Sequence, residues 1–382
     1  MVPSRRIAVA LLVLVVSLGG LSLRQASRAA AEALPSRLSD KVFWQVVSDF
    51  SEPNGYFRSD NFLSNEQAFQ SVIPELQARL PQGGVYVGVG PEQNFTYLAA
   101  LKPKLAFVLD IRRGNLIEHL LYKAFIEVSS DRADFLSRLF ARPRPEGLNG
   151  TTSVDALFAA YRAALPSEDL FKRNLQAAKE RLTKHHEFAL SAADLSGLEY
   201  VYNAFFQGGP DLNYTFLSGQ FGGGRFVNGY FPTYTDLMTE TDGRGQQRSY
   251  LATEEKFRVV IALEKNNALV PLVGDFGGPK ALRAVGRYLV DHGARVTAFY
   301  TSNVEMYLFQ TDAWKRFYAN VATLPVDSTS TFIRSISNRG YQFQRYSPGL
   351  RSSTRLSSIA GLVKAFQNGK VEGYYDVIAM SH

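Results

Sequence analysis

The feature that most constrains this chain is a predicted strand followed by a glycine-containing turn. A second predicted strand then ends in an aspartate. Residues Val85–Val89 form an apolar run with Gly88 and Gly90 at its end, and a helical pattern follows. A second apolar run, Lys104–Leu109, leads directly into Asp110. Strands that alternate with helices in this way are typical of a parallel sheet with helices on both faces. The sequence therefore predicts an α/β protein with a doubly wound, mostly parallel sheet.

The second half of the chain supplies the remaining predicted strands. The runs Leu269–Val273 and Val296–Tyr300, which we count as the fourth and fifth strands, are expected to join the first two in one sheet. A further strand is predicted at Ser330–Ile336, and the pattern over residues 355–369 predicts a helix. The run Tyr375–Met380 predicts a closing strand.

Helical segments precede and interrupt this sheet. Residues 35–84 are predicted to form a helical lead-in, in which a loop joins two helices. A helical and Gly/aromatic-rich insertion is predicted at about residues 131–255, and its part 131–186 should lie outside the sheet as helices. Residues 208–250 show no periodicity, which is typical of a functional or mobile loop. Since no clear linker divides the chain, the sequence predicts one domain over residues 35–382.

The first 34 residues have the layout of a targeting segment. A basic start with Arg5 and Arg6 precedes an uncharged run, residues 7–23, and small residues follow at 29–33. This order predicts a secretory signal peptide, or an uncleaved anchor, because the run is about long enough to span a membrane. We therefore expect residues 1–34 to place the protein in the cell envelope, with membrane association through residues 7–23. If the segment is not a working signal, the protein stays in the cytoplasm.

Composition removes several classes of chemistry. The chain has no cysteine, which excludes disulfides, thiol catalysis and Cys-ligated metal sites. None of the five histidines forms an i, i+4 helical pair, and the adjacent His185 and His186 are expected to point different ways on a helix, so no metal site is predicted. Of the formal net charge of +7, residues 1–34 carry +3, and the mild excess that remains is typical of a solvated surface. No nucleic-acid partner is expected.

The glycine turn predicts a ligand site. The first strand of a doubly wound sheet ends at the crevice where ligands bind, and glycine lets the backbone approach a ligand closely. Gly88 and Gly90 suit that role. Asp110 suits a ribose diol, because one carboxylate accepts from two hydroxyl groups, and we expect it to be open to the crevice. The alternative is that the glycines only permit the turn, which Gly90 before Pro91 achieves alone.

Other ligand-binding motifs fit this chain less well. The dinucleotide fingerprint places a third glycine three residues after the second, where Gln93 stands, which disfavours a nicotinamide or flavin cofactor. The stretch "GDFGGPKA" lacks the Gly-Lys-Ser/Thr of a phosphate loop. No Gly-x-Ser-x-Gly elbow of a hydrolase occurs.

The sequence has two glycines after the first strand, an acid at the end of the second strand and no need for phosphate contacts. In these features it resembles the class I S-adenosylmethionine-dependent methyltransferases, whose sheet is Rossmann-like. The stretches "VGVGPEQNFTYLAALKPKLAFVLDIRRGN", "YTSNVEMYLF" and "FIRS" are similar to those of an uncharacterised bacterial family with this fold. The chain departs from the methyltransferase pattern at Tyr86, where an acid is usual, and at Glu92, where a third glycine is usual. The resemblance implies S-adenosylmethionine as cofactor, bound by Gly88, Gly90, Glu92, Asn94, Asp110 and Ile111. It also implies a substrate pocket after the fourth and fifth strands, with the candidates Asp275, Phe276, Ser302 and Asn303.

Two functions are compatible with this sequence. The first is S-adenosylmethionine-dependent methyl transfer to an unknown substrate, for which no catalytic residue is predicted, because alignment and water exclusion supply most of the catalysis. The alternative is a non-catalytic nucleoside- or small-ligand-binding protein of the cell envelope that retains the fold. The N-terminal segment favours this alternative, since S-adenosylmethionine is made in the cytoplasm. Both functions imply a small-molecule partner.

Ser302 and Glu305, three residues apart, are also spaced as a helix capping box.

Overall fold

The computed structural model describes residues 33–214, 231–337 and 352–382. The predicted targeting run, residues 7–23, and a central part of the glycine- and aromatic-rich segment lie outside the described residues. Among the helices that the structure describes, none is long and apolar enough to cross a membrane.

Six strands of the described chain form one sheet. They are β1 Val85–Val89, β2 Leu105–Asp110, β3 Leu269–Val273, β4 Val296–Ser302, β5 Thr331–Ser337 and β6 Ser352–Ser358. The order across the sheet is β3-β2-β1-β4-β5-β6, with β1 to β5 parallel and β6 antiparallel to β5. Every residue of β1, β2 and β3 is buried, as expected of parallel strands covered by helices on both faces. The predicted α/β sheet, with its first four strands as parallel neighbours, is confirmed.

Helices cover the sheet and fill the intervals between its strands. The described α-helices are α1 Asp40–Phe50, α2 Ile73–Arg79, α3 Gln93–Leu101, α4 Arg113–Val128, α5 Arg132–Phe140, α6 Val154–Ala163, α7 Glu168–Glu180, α8 Ala192–Gly208, α9 Tyr234–Thr239, α10 Glu254–Lys265, α11 Ala281–Asp291, α12 Val304–Leu308, α13 Ala313–Val321, α14 Ile359–Gln367 and α15 Tyr374–Ala379. Serine or threonine caps many of them by accepting a backbone N–H, as Ser39 does for α1 and Ser191 for α8.

The long interval between β2 and β3 is helical, as predicted. Helices α5 to α7 lie outside the sheet, and α8 packs against α4, the long helix that follows β2. The prediction of a segment without regular structure over residues 208–250 is wrong in part. Residues Tyr234–Thr239 form α9, because Thr233 and Asp236 make a reciprocal capping box at its start.

Two predictions for the C-terminal part are wrong. The segment predicted as one helix over residues 355–369 begins inside β6, which pairs with β5 through seven residues. The predicted closing strand Tyr375–Met380 is instead the helix α15. The carboxylate of Asp376 accepts hydrogen bonds from the backbone N–H groups of Glu372 (2.8 Å) and Gly373 (3.0 Å). These bonds stabilise the start of a helix, although the β-branched residues of this short run are typical of a strand.

The strand count used for the pocket prediction was also wrong. Leu269–Val273 is the third strand and lies at the edge of the sheet, whereas Val296–Ser302 is the fourth and pairs directly with β1. The helical insertion therefore occupies a single crossover between β2 and β3. The strand order reverses between β1 and β4, and ligands of doubly wound sheets bind at the carboxyl ends of the strands beside such a reversal.

Candidate functional site

A loop of the lead-in, residues 51–66, runs across the carboxyl ends of the strands, and we call it the crossing loop. The backbone N–H of Glu52 donates to the carbonyl of Val273 at the end of β3 (2.8 Å). The N–H of Gly55 donates to the carbonyl of Ile111, just beyond β2 (2.8 Å). Further along, the side chain of Glu66 accepts from Gln93 at the start of α3, which follows β1, and from Tyr300 of β4. The crossing loop thus covers the edge of the sheet where a ligand is expected.

Glu66 lies at the point where the strand order reverses. Its side chain is buried and accepts hydrogen bonds from Tyr300 Oη (3.0 Å), Gln93 Nε2 (3.1 Å) and the hydroxyl of Ser302. Burial raises the pKa of Glu66, and these hydrogen bonds offset part of that rise. Ser302 has a left-handed backbone with φ of 53°, which is uncommon for a residue other than glycine. The chain's own carboxyl therefore occupies the gap between β1 and β4.

Asp110 is buried in an ion pair, contrary to the prediction of an open carboxylate. Its Oδ1 accepts from the backbone N–H (2.9 Å) and Nε (3.0 Å) of Arg112, and its Oδ2 accepts from Nη2 of the same arginine (3.1 Å). The side chains of Asp110 and Arg112 are 7% and 10% exposed. Nη1 of Arg112 also donates to the backbone carbonyls of Ser59 and Asp60 in the crossing loop. The acid at the end of β2 therefore neutralises an arginine that fastens the crossing loop.

The two glycines after β1 have different roles. A Cβ on Gly88 would overlap Asn94 Oδ1 and lie 2.6 Å from Tyr86 Cε1, because Tyr86 donates a hydrogen bond to Asn94 (2.8 Å) across this position. Tyrosine thus stands where methyltransferases have an acid, and here it closes the turn. Gly90 has φ of +77°, and no atom of the described chain lies within 4 Å of the place a Cβ would take. Space for a ligand is therefore present beside Gly90 and absent beside Gly88 in the described part of the chain.

Glu92 follows this turn and is fully buried. No hydrogen bond of good geometry reaches either carboxylate oxygen within the described residues. Burial raises the pKa of Glu92 to about 8, although the backbone N–H groups of Ser64, Glu92 and Gln93 lie near enough to lower it in part. A buried polar atom is normally satisfied by the protein, by ordered water or by a ligand. Glu92 is thus a buried carboxyl with no charged partner and no well-formed hydrogen bond among the described residues.

The first turns of α4 bring three more polar side chains to the same region. Burial and the nearby charge of Glu92 raise the pKa of Glu118 well above its ordinary value. Glu118 Oε1, Asn115 Nδ2 and His119 Nδ1 are buried atoms without a hydrogen-bond partner among the described residues. His119 Nε2 lies 2.9 Å from the carbonyl oxygen of Gly90, and burial lowers the pKa of the ring to about 4. The neutral ring therefore donates through Nε2 and leaves Nδ1 as an acceptor.

We call Glu92, Asn115, Glu118 and His119 the buried polar cluster. It combines two carboxyl groups, one amide donor and one ring acceptor between the end of β1 and the start of α4. Sequence reasoning included Glu92 and missed the other three, because Asn115, Glu118 and His119 look like ordinary residues of an amphipathic helix. The only available signal is the polar character of these three residues, because the helix that carries them is buried on nearly all sides.

The predicted pocket candidates follow two different strands and make different contacts. Phe276 is buried, with its ring stacked on Phe317 (centroids 5.3 Å apart) and edge-on to Phe299 of β4 (5.2 Å). Asp275 accepts the backbone N–H of Gly277 (2.8 Å) in the loop after β3. Ser302 lies at the end of β4, where its hydroxyl donates to Glu66, and Asn303 follows it.

The predicted capping box at the start of α12 is wrong. Glu305 is buried and accepts from Arg334 Nε (2.7 Å) and Tyr318 Oη (2.6 Å), while the hydroxyl of Ser302 donates to Glu66. The N-cap residue is Asn303, whose side chain makes no capping bond in the described chain. Long-range ion pairing has replaced the local bond that the spacing suggested.

The prediction that His185 and His186 point different ways is also wrong. Residues Arg181–His185 form a π-helical turn, and the two rings have centroids 4.8 Å apart. Atoms of both histidines and a carboxylate oxygen of Asp40 all lie within 4.8 Å of one another. This group lies on the lead-in and insertion helices rather than in the buried polar cluster.

Comparison with known proteins gives the family of the chain and leaves its activity open. Curated proteins yield no match. A family model described as a domain of unknown function (DUF7790) matches residues 61–205 and 218–367. The match includes the end of the crossing loop and the whole buried polar cluster. Because it covers more than half of the chain, the protein belongs to this family.

Proposed function

We propose that this protein binds a small ligand with a cationic group at the buried polar cluster, and that S-adenosylmethionine is the first ligand to test. The observation that carries the proposal is the group of buried polar atoms of Glu92, Asn115, Glu118 and His119 that find no partner among the described residues. Leaving such atoms unsatisfied costs about 1–3 kcal/mol each. A ligand that supplies the missing partners recovers this free energy on binding.

The chemistry of the cluster favours a cation. Burial raises the pKa of both carboxyl groups, and it raises that of Glu92 to about 8, so Glu92 is largely protonated at neutral pH before a ligand arrives. An ammonium or sulfonium group placed between them favours the charged carboxylate forms. Asn115 Nδ2 can donate to a ligand oxygen, and His119 Nδ1 can accept from a ligand N–H or O–H.

S-adenosylmethionine fits this donor set in part. Its ammonium and sulfonium groups match the two carboxyl groups, and the space beside Gly90 is in the position that the methyltransferase resemblance implies for the cofactor. Its ribose fits less well, because Asp110 already pairs with Arg112. The proposal therefore assigns recognition to Glu92 and Glu118 and makes no use of Asp110 as a ribose ligand.

Methyl transfer to an unknown substrate is the activity that this proposal implies. The protein's contribution would be to bind and orient the cofactor and to exclude water, which the crossing loop is placed to do. The second candidate is non-catalytic binding of a small amine by an envelope protein that retains the fold. The Asp110–Arg112 pair favours this candidate, because it removes the usual ribose contact. Localisation through residues 1–34 remains part of that second candidate.

Thermal unfolding of the full-length protein with a panel of ligands tests the proposal. S-adenosylmethionine should raise the melting temperature at concentrations well above its dissociation constant, and adenosine, which lacks the cationic groups, should raise it far less. Glu92→Gln should abolish most of the shift. Glu75→Gln, which changes an exposed glutamate of α2 paired with Arg79, is the matched control and should leave the shift unchanged.

The same panel separates the two candidates. If methionine alone stabilises the protein as much as S-adenosylmethionine does, the nucleoside contributes nothing and the second candidate is supported. If neither compound shifts the melting temperature, or if adenosine shifts it as much as S-adenosylmethionine, the assignment to the buried polar cluster is wrong.

A further inference from the structure

We propose that Asp40, His185 and His186 form a zinc-binding site that links the lead-in helix α1 to the end of α7. One nitrogen from each histidine and a carboxylate oxygen of Asp40 lie within 4.8 Å of one another. Tetrahedral zinc with ligands at 2.0–2.2 Å brings its donor atoms to separations of about 3.3 Å. His186 Nδ1 and Asp40 Oδ1 are already 2.9 Å apart, so the exposed ring of His185 is the part that has to move.

The environment of His186 prepares one nitrogen for a metal. Its Nε2 lies 2.7 Å from Glu127 Oε2, and Glu127 is held as a carboxylate by Lys123 (2.8 Å) and Arg181 (2.9 Å). The ring must therefore donate a proton through Nε2. Histidine ligands of zinc usually donate one ring N–H to a carboxylate or carbonyl, which orients the ring, and bind the metal through the other nitrogen. Here the offered nitrogen, Nδ1, faces Asp40.

The carboxylate of Asp40 is also oriented for this role. Asn267 Nδ2 donates to Asp40 Oδ1 (2.8 Å), which fixes the carboxylate against the start of β3. Oδ2 has no hydrogen bond among the described residues and is available to a cation. In the metal-free protein, Asp40 Oδ1 is within hydrogen-bond distance of His186 Nδ1, so zinc would lie between these two atoms in place of their direct contact.

The backbone brings the two histidines together at a position where a regular α-helix would separate them. The π-helical turn Arg181–His185 places His185 beside His186, and π-helical turns are frequently found at functional sites. The ring of His186 stacks on Phe188 with centroids 5.0 Å apart, which holds one ligand rigidly. His185 is exposed and gives a metal access from solvent.

Two nitrogens and one carboxylate oxygen are a donor set that suits zinc and leaves a fourth position for water. Two carboxylates, Asp40 and Glu127, contact His186, and Glu127 is in turn paired with Lys123 and Arg181. The site is separate from the buried polar cluster. It therefore does not depend on the proposed function.

Calorimetric titration of tag-free, chelator-treated full-length protein with zinc chloride tests this inference. We expect one zinc ion per chain and a melting temperature that rises with zinc. His185→Ala should weaken binding at least tenfold without changing the melting temperature of the metal-free protein, because this side chain is exposed. His382→Ala, which removes another exposed histidine, should bind zinc as the wild type does.

A separate variant tests whether Glu127 positions the ring of His186 for zinc binding. Glu127→Gln should weaken zinc binding about 10- to 100-fold, the usual effect of losing a carboxylate that orients a metal-binding histidine. Cobalt in place of zinc should give the visible absorption of a tetrahedral site in the wild type and lose it in His185→Gln. Wild-type protein that binds no zinc, or His185 variants that bind it as tightly as wild type, would overturn the proposal.

Discussion

Replacing Asp110 by Asn tests whether this acid is a structural counter-ion or an open ligand for ribose. The structure gives Asp110 three hydrogen bonds from Arg112, and both side chains are at most 10% exposed. Removing one partner of a buried ion pair leaves the other charge uncompensated and typically destabilises a protein by about 3–5 kcal/mol. The sequence alone predicts almost no change, because an acid at a strand end is expected to face the crevice.

The magnitude should fall near the lower limit of that range. Arg112 keeps the carbonyls of Ser59 and Asp60 as acceptors, and asparagine keeps one acceptor oxygen, so we expect a loss of about 3 kcal/mol. Unfolding entropy is about 2.1 cal/mol/K per residue, or roughly 0.8 kcal/mol/K for a chain of this size. The melting temperature should therefore fall by about 4 °C.

Thermal unfolding followed by far-UV circular dichroism measures this change. Glu75→Gln removes an exposed ion pair with Arg79 and is expected to change stability by less than about 1 kcal/mol, which makes it a suitable control. In the Asp110→Asn background, Arg112→Met should restore part of the loss, because the double variant has neither charge and so leaves none uncompensated. If Asp110→Asn melts like the control, the carboxylate is not a counter-ion and the assignment of ribose binding to Asp110 returns.

Three further predictions follow from single positions. Gly88→Ala should destabilise the protein by about 1–3 kcal/mol with no ligand present, because the added methyl overlaps the side chains that cross it; an unchanged urea midpoint would contradict that packing. Burial raises the pKa of Glu92 from 4.5 to about 8. Between these two pH values the folded state holds a proton that the unfolded chain releases, so the wild type loses stability as the pH rises from about 4.5 to about 8. Glu92→Gln should therefore gain melting temperature relative to wild type between pH 5 and pH 8, and parallel pH profiles would refute the shift. Glu305→Gln should lower stability by about 3 kcal/mol, because Arg334 is left buried without its charge partner, and an effect below 1 kcal/mol would show that Arg334 finds another acceptor.

The strands of the sheet could be predicted because their signal is local. β1 to β4 are short, mainly apolar runs bounded by glycine, proline or helical patterns, and their burial on both faces keeps charged residues out of them except at the end of β2. β6 could not be predicted in the same way. Its sequence "SSTRLSS" has little apolar content, and its strand conformation comes from pairing with β5.

The candidate site was predictable only at the turn after β1. Gly90 and Glu92 lie where the glycine pattern placed a ligand, but the roles of Gly88 and Asp110 depend on contacts that no short motif records. Gly88 is required by the Tyr86–Asn94 hydrogen bond, and Asp110 pairs with an arginine that also fastens the crossing loop. The crossing loop itself contacts residues that are far from it in the sequence. Sequence patterns therefore show it only as a connection between two helices.

The number of protons released when the full-length protein binds S-adenosylmethionine tests the central claim most directly. Calorimetry at pH 7 in buffers of different ionisation enthalpy gives this number, since a cation that displaces the proton of a buried carboxyl sends it to the buffer. We expect about one proton per ligand for wild type, clearly fewer for Glu92→Gln, and the wild-type number for Glu75→Gln. Absence of binding, binding without proton release, or equal release by Glu92→Gln would contradict the claim that the buried polar cluster recognises a cationic ligand.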